Sequence, residues 1–378
     1  MTMARDQLIA LAGADKAAID AFMRERRFPI VEGRDVTFVF RGTANAVRLR
    51  HFVYGLPTEM PFQQIGGTDL WYCTLDVPLR SRLEYKLEVI KGERNKWIQD
   101  PLNPLLAHDP FGANSVCQGA GYYAPDWTEP DSDARSGSLE TLSFEQTPFG
   151  DNRNVTLYLP PRLRQNRRYP LLIVQDGSDY LRYSQLKTVL DNLIHRREVA
   201  PLVVALSDPR DRLTEYADDQ RHADFIVNSL VRRLERELPL YKTPQQRCLM
   251  GASFGAVASL AAAWRNPGIF GGLILQSGSF AFSDIGNGTR GAVFDPVVRF
   301  MNAFRDNPGR PADKLFVSCG VYESLIYENR SMVPLFQATG MEVQFVEARD
   351  GHNWENWRDR LRDALSWMFP GPLWMMYE

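Results

Sequence analysis

The sequence predicts an α/β fold with a mainly parallel central sheet, preceded by an antiparallel β-sandwich. Three observations carry that expectation. Beyond Leu139, short continuous apolar runs alternate with helical segments, as buried parallel strands and their crossovers do. Between Pro29 and Tyr122 the runs instead alternate apolar with polar residues and are separated by turns, as antiparallel strands are. Further on, Cys248-Leu-Met-Gly-Ala-Ser-Phe-Gly-Ala256 reads as an apolar strand that passes through Gly-x-Ser-x-Gly into an Ala-rich helix ending near Asn266-Pro267.

Taken in order, residues 1–28 form an N-terminal helix. Leu8, Ile9, Leu11, Ile19, Phe22 and Met23 recur at helical spacing, and the charges between them are not those of a signal peptide. Residues 29–122 form the sandwich, with strands at 35–41, 46–53, 71–77 and 83–90 and turns at Gly66-Gly67 and Lys91-Gly92. Its Trp71, Tyr72, Tyr85 and Trp97 are assigned to the sheet core. Residues 123–138, rich in Pro, Asp, Ser and Gly and without periodicity, form a linker. Residues 139–378 form the α/β domain, opening with edge strands near 140–146 and 153–159. Apolar strands follow at 170–174, 201–206, 247–250, 272–275, 314–318 and 342–346. A helix over 219–238 carries Phe225, Ile226, Leu230, Leu234 and Leu238 on one stripe, and an amphipathic helix over 354–368 closes the domain. The apolar tail at 373–377 is expected to pack on the sandwich or on a neighbouring chain.

Composition narrows the function. With 378 residues, 44% of them hydrophobic, the chain can bury a core in each of two domains. A net charge of −2 argues against a general nucleic-acid binder, and no run approaches the roughly twenty apolar residues of a membrane span. Cys248 and Cys319 fall in predicted strands and read as reduced core residues. Cys73 and Cys117 would pair only in an exported protein, and a cytoplasmic setting is the expectation.

The Gly-x-Ser-x-Gly turn places Ser253 on a sharp strand-to-helix bend, where Gly251 and Gly255 stand at the positions that have no room for a side chain. A serine hydroxyl attacks an ester only when a base takes its proton and a third group orients that base. Of five histidines, His51 and His108 belong to the first domain, His195 ends a helix and His222 opens one. His352 remains, in Asp350-Gly-His-Asn-Trp354, a loop directly after the last strand. The acid should follow strand 314–318. Glu323 in Cys319-Gly-Val-Tyr-Glu-Ser324 is the candidate, with Glu328 and Asp350 as rivals and an unsupported Ser–His pair as the remaining alternative. Phe254 N–H is one candidate oxyanion donor. The other should come from Gln175-Asp-Gly-Ser178, where Gly177 lets the backbone approach closely. Neither a phosphate-binding loop nor a zinc-binding histidine pair occurs, so no cofactor or metal is expected.

These segments together resemble the enterochelin (enterobactin) esterases, α/β-hydrolases that open the trilactone of ferric catecholate siderophores. The resemblance rests on Ile65-Gly-Gly-Thr-Asp-Leu-Trp71, Asp100-Pro-Leu-Asn-Pro104, Asp176-Gly177, Arg212-Leu-Thr-Glu-Tyr216, Gly251-Ala-Ser-Phe-Gly255, Gln276-Ser-Gly-Ser279, Gly320-Val-Tyr-Glu323 and Gly351-His352. It implies Ser253, His352 and Glu323 as the triad and a sandwich that helps wall the site. A more distant similarity to feruloyl esterases and mycolyltransferases implies Ser178 N–H as the second oxyanion donor. The chain departs from the pattern at Ala256, where many relatives carry Gly, and at Asn353, where the enterochelin esterases carry Asp.

Arg212 is read either as an ion-pair partner of Glu215 or as a contact for an anionic ligand. Tyr322, Trp354 and Trp357 are candidates to stack on catechol rings, with Trp357 alternatively packed under the closing helix. The expected substrate is a small-molecule ester, an Fe(III)-catecholate siderophore by resemblance, with no nucleic-acid or membrane partner. The alternatives are a feruloyl or acetyl ester of a carbohydrate and, because the sandwich resembles early-set, immunoglobulin-like glucan-binding modules, a glucan-binding protein with an idle hydrolase domain.

Overall fold

The computed structural model describes residues 3–282 and 291–372, and the chain divides into two units. The first is Met1–Ala124 together with two returning loops, Gly320–Ser324 and Ala348–Asn353. The second is Pro125–Cys319, Leu325–Glu347 and Trp354–Glu378. The apolar tail at 373–377 lies outside the described residues.

In the first unit the expected single N-terminal helix is two helices, Ala4–Ile9 and Lys16–Arg24. Gly13 has φ +69° after the first helix, and the Asp15 carboxylate caps the second by accepting the Ala18 N–H at 2.8 Å. Two antiparallel sheets follow. One runs in the order Ile30–Glu32, Asp35–Arg41, Leu70–Asp76, Gln63–Gln64. The other runs Glu59–Pro61, Ala46–His51, Arg82–Lys91, Gly112–Gln118, Leu106–Asp109, with Arg94–Ile98 also paired to Arg82–Lys91. Phe38, Phe40 and Trp71 of one sheet and Leu49, Tyr85 and Leu87 of the other share a core. Asp35–Arg41 does not alternate in burial: residues 36–40 are all covered. The reason is the N-terminal pair of helices, whose Leu8, Ile19 and Phe22 pack with Val39 on the strand's second face. Trp97 departs from its core assignment. It is 52% exposed, with the Arg50 guanidinium over its ring at 4.9 Å. The Asp100-Pro-Leu-Asn-Pro104 segment is structural: Tyr85 Oη donates to Asp100 Oδ2 at 2.7 Å, and Asn103 Nδ2 donates to Tyr85 Oη at 2.9 Å.

The second unit is built on an eight-stranded sheet in the order Ser138–Phe144, Arg153–Leu159, Val203–Ser207, Leu171–Gln175, Arg247–Ala252, Gly272–Gln276, Lys314–Gly320, Glu342–Ala348. Arg153–Leu159 is antiparallel to both of its neighbours, and from Val203–Ser207 to Lys314–Gly320 the pairing is parallel. Core clusters line both faces, which accounts for the unbroken apolar runs. From Leu171–Gln175 the chain passes to one side, to Val203–Ser207, and then to the other, to Arg247–Ala252. That reversal is a topological switch point, where such sheets open a crevice at the carboxyl ends of their strands.

Three expectations change in this unit. The predicted linker is partly anchored: Trp127 is buried in the core, and Asn192 Nδ2 donates to the carbonyls of Trp127 and Glu129 at 2.9 and 2.7 Å. The helix expected over 219–238 contains a π-helical stretch, Phe225–Val231, between Gln220–Asp224 and Arg232–Glu237. The closing helix is likewise two, Trp354–Asp359 and Leu361–Met368, separated at Arg360. All four cysteines are buried and none is in a disulfide, and burial pushes Cys73 up to about 11 and Cys117 up to about 12.

Candidate active site

Ser253 sits between the end of Arg247–Ala252 and the first residue of helix Phe254–Arg265, with φ 57° and ψ −120°. This is a strained conformation for a residue with a side chain, and its neighbours enforce it. A Cβ on Gly251 would lie 2.3 Å from the Gly255 carbonyl oxygen. A Cβ on Gly255 would lie 3.1 Å from Gln175 Cβ and 3.2 Å from Asp176 Oδ2. Strand and helix therefore meet at the two glycines, and the serine is carried out at the bend. Its N–H donates to Gln276 O at 2.9 Å, and its Oγ lies 3.1 Å from Ser279 Oγ. Ser279 belongs to the Gln276-Ser-Gly-Ser279 segment, to which the sequence reading assigned no role.

A clamp stands behind this bend. Arg212 Nε and Nη2 donate to the Asp176 carboxylate at 2.9 and 2.8 Å, and Nη2 also reaches Ala252 O at 3.3 Å. Asp176 is itself in the left-handed region (φ 55°), and its N–H donates to Tyr216 Oη at 3.1 Å. Burial pushes the Asp176 carboxyl up while Arg212 pulls it down. One guanidinium thus ties the residue before Ser253 to the residue before Gly177. The expected Arg212–Glu215 pair is absent, because Glu215 is taken by Arg153 in a two-bonded pair at 2.6 and 3.0 Å.

The Ser178 N–H does not point out as a spare donor. It donates to Asp208 Oδ1 at 2.9 Å, and Ser178 Oγ bonds the same carboxylate. Gly177 opens helix Gly177–Tyr183 and Phe254 opens Phe254–Arg265, and an N–H at the first helical position has no acceptor within its own helix. Gly177 is glycine because a Cβ there would lie 2.5 Å from Leu206 Cβ. The close approach is to the neighbouring strand.

The acid and base lie in the two loops that group with the first unit. His352 Nδ1 and Glu323 Oε2 are 2.5 Å apart, and Glu323 Oε1 accepts the Gly320 N–H at 2.8 Å. The glutamate is buried, whereas the imidazole is 37% exposed. A general base needs this arrangement, a carboxylate that accepts Nδ1–H so that the other ring nitrogen can take a proton. The two loops are laced together by Val321 N–H to Ala348 O at 2.8 Å and Tyr322 N–H to Asp350 O at 3.1 Å.

Asp350 is a support for this loop. Its Oδ1 accepts from Gly351 N–H and Asn353 Nδ2, each at 2.7 Å, and pairs with Arg82 at 3.3 Å, while Arg82 also donates to Asn353 Oδ1 at 3.0 Å. Burial pushes the Asp350 carboxyl up to about 6 against the pull of Arg82. Arg82, a strand residue distant in the chain, left no sign in the sequence that it serves this loop. Asn353, noted only as a departure, is its second anchor.

Of the aromatic candidates, Tyr322 directs its hydroxyl to Ser81 Oγ at 2.6 Å and packs on the sandwich core. Trp354 is buried edge-on to Tyr180 and Trp357, at 5.3 and 4.8 Å between ring centroids, and Trp357 Nε1 donates to Ser277 Oγ at 2.9 Å. Trp354 and Trp357 are thus buried among these neighbours, whereas Tyr322 is half-buried with its hydroxyl committed to Ser81. Among the described residues, no group of three or more His, Cys, Asp or Glu side chains could hold a metal ion, and no helix is long and apolar enough to cross a membrane.

A strained serine elbow, with a carboxylate-held imidazole downstream in the order Ser, acid, His, agrees with the family match. A model of the "Putative esterase" family covers residues 147–368. The chain belongs to this family. Its reaction class is carboxylic ester hydrolysis. An iron(III) enterobactin esterase of Escherichia coli O6:H1 is 22% identical over 332 residues, 80% of this chain and 80% of that protein. An uncharacterized Bacillus subtilis protein is 28% identical over 150 residues, 38% of this chain and 62% of the other's length. Among solved structures, the enterobactin esterase of Shigella flexneri, determined in the presence of enterobactin, superposes with a TM-score of 0.75 at 18% identity, covering 92% of this chain and 97% of its own. A ferulic acid esterase superposes at 0.54 and 18% identity, over 62% of this chain and 97% of its own.

Proposed function

We propose that this esterase hydrolyses a catecholate siderophore, a ferric enterobactin-like trilactone, with Ser253 as nucleophile, His352 as base and Glu323 as the acid that orients it. One observation carries the substrate class: the match to enterobactin esterase takes in both units, at 92% of the chain, whereas the ferulic acid esterase matches 62%. In this reading Ser253 Oγ attacks the ester carbonyl carbon and its proton passes to His352 Nε2. The imidazolium is stabilised by Glu323. The backbone N–H groups of Phe254 and Gly177 receive the oxyanion, and the Arg212–Asp176 clamp sets their spacing. Collapse of the tetrahedral intermediate breaks the ester C–O bond and releases the substrate's alkoxide, which takes the proton from His352. Water, deprotonated by the same imidazole, then hydrolyses the acyl-serine and frees Ser253. Iron enters and leaves as part of the substrate.

We read the setting as cytoplasmic, since four buried cysteines, none of them in a disulfide, suit a reducing compartment. The two-sheet unit is read as an immunoglobulin-like, early-set module on the strength of its antiparallel sheets and shared core.

Turnover of the purified full chain on ferric enterobactin, iron-free enterobactin, a feruloyl-arabinose ester and p-nitrophenyl butyrate tests the proposal, with products resolved by chromatography. The expected result is kcat/KM on a trilactone at least a hundredfold above that on the feruloyl sugar. The reverse ranking would replace the substrate while keeping the chemistry. Failure to turn over any of the four would remove the reading altogether.

A further inference from the structure

The second unit has a hollow of about 610 Å³ on the side of the sheet opposite the elbow. It lies where Leu171–Gln175 and Val203–Ser207 begin, with Pro201 from one approach, Pro161 just past the end of the antiparallel strand Arg153–Leu159, and His195 closing helix Leu186–His195. Ser253 follows the carboxyl end of the strand beside Leu171–Gln175. A five-residue strand rises roughly 16 Å, so the hollow is remote from the nucleophile.

Its charge is one-sided. Arg135, Arg162, Arg167, Arg197 and His195 line it, and among the described residues no aspartate or glutamate does. Elsewhere in this unit several arginines are matched to carboxylates: Arg153 to Asp151 and Glu215, Arg247 to Glu235, Arg330 to Glu347. Three of the acids near the hollow in sequence are already committed. Asp126 pairs with Arg196, Asp191 with Lys187 and Glu198 with Arg362. Among the described residues, Arg135, Arg162 and Arg167 have no carboxylate partner. Gathering like charges in one concavity raises their mutual repulsion, and an anion relieves it. Guanidinium forks match phosphate oxygens two at a time. Pro161, Pro201, Pro370 and the buried Val199 supply apolar wall beside the charges, and the volume is that of a small-molecule site rather than of a single inorganic ion.

We propose that this hollow is a second binding site, separate from the ester-hydrolysing machinery, for a compact polyanion of the di- or triphosphate class with an apolar body, as in a nucleotide. The site stands independently of the siderophore reading.

Isothermal titration of the full chain with sodium pyrophosphate, ATP and citrate tests it. Two charge-reversed variants on the exposed 161–168 turn accompany the wild type: Arg162→Glu/Arg167→Glu, whose side chains line the hollow, and Arg164→Glu/Arg168→Glu, whose side chains do not. The expected result is one ATP per chain, bound more tightly than pyrophosphate. Affinity should fall at least tenfold in Arg162→Glu/Arg167→Glu and less than threefold in Arg164→Glu/Arg168→Glu, with p-nitrophenyl butyrate turnover and thermal midpoint unchanged in both. No detectable binding of ATP or pyrophosphate would overturn the proposal. So would equal losses in the two variants, which would mark a diffuse basic surface. Citrate binding as tight as ATP would overturn the phosphate class.

Discussion

Ser253 is held by backbone sterics between Gly251 and Gly255, two residues on either side of it. The Glu323–His352 pair is held by side chains, and one of its supports, Arg82, lies 268 residues from Asp350 in the chain. The two halves of the proposed machinery thus rest on different physics. The elbow tolerates no added atom but depends little on distant residues. The acid–base loops are laced by Arg82, Ser81 and Asn353, so their geometry is as good as a network of buried hydrogen bonds, which fails when one member is lost. A strained turn is thus built locally, while a buried acid–imidazole pair draws its supports from distant parts of the chain.

The largest effects separate chemistry from support. Ser253→Ala should lower turnover about 10⁴- to 10⁶-fold with an unchanged thermal midpoint, and Glu323→Gln about 10²- to 10⁴-fold, measured on p-nitrophenyl butyrate. If Ser253→Ala kept near-native rates, the elbow would have no catalytic role. Next come the glycines. Gly251→Ala places a methyl 2.3 Å from a carbonyl oxygen and should cost about 3 kcal/mol in urea unfolding. Gly255→Ala meets its neighbours only at 3.1 Å and should cost about 1 kcal/mol. Equal costs would contradict the steric account.

Arg82→Met tests the other half. Leaving Asp350 buried without its cation should destabilise the fold by about 3 kcal/mol and reduce kcat roughly tenfold at constant KM, and adding Asp350→Asn should restore most of both. A double variant no better than the single would show that the pair does not act on His352.

A further effect, seen only in acid, concerns His222, a histidine in the second unit that packs edge-on to Tyr216 at 5.1 Å. Burial lowers it to about 4. The folded state therefore resists a proton that the unfolded chain takes up near 6.5, and this contribution to stability is complete above 6.5 and is lost as pH falls toward 4. Between pH 7.5 and 5 the wild type should lose about 2 kcal/mol that His222→Phe retains, read from urea midpoints. Identical pH profiles would place His222 in a wetter environment than the one seen.

Much of this was legible in the chain itself. The elbow could be read because its constraint is short-range: small residues at fixed offsets around a serine, after an apolar strand. His352 was found by elimination and Glu323 by its place after a strand, both topological arguments. Strand ends at the carboxyl edge were read one or two residues short, because Gln175, Ser207, Gln276 and Gly320 are polar or small and do not extend an apolar run. The residues that support the site were missed there for the same reason.

Local pattern was enough to determine the order of elements, the two kinds of sheet, the serine elbow and the candidates for nucleophile, base and acid, since each is written in spacing over a few residues. Only the tertiary structure decided that Arg212 clamps Asp176 and not Glu215, that Ser178 is spent on Asp208, that the Tyr322 hydroxyl is committed to Ser81 and Trp354 is buried, and that Asp350 braces the loop of His352. Those choices depend on which charged or polar group arrives first at a buried partner once the chain has folded, and a linear sequence does not encode that distance.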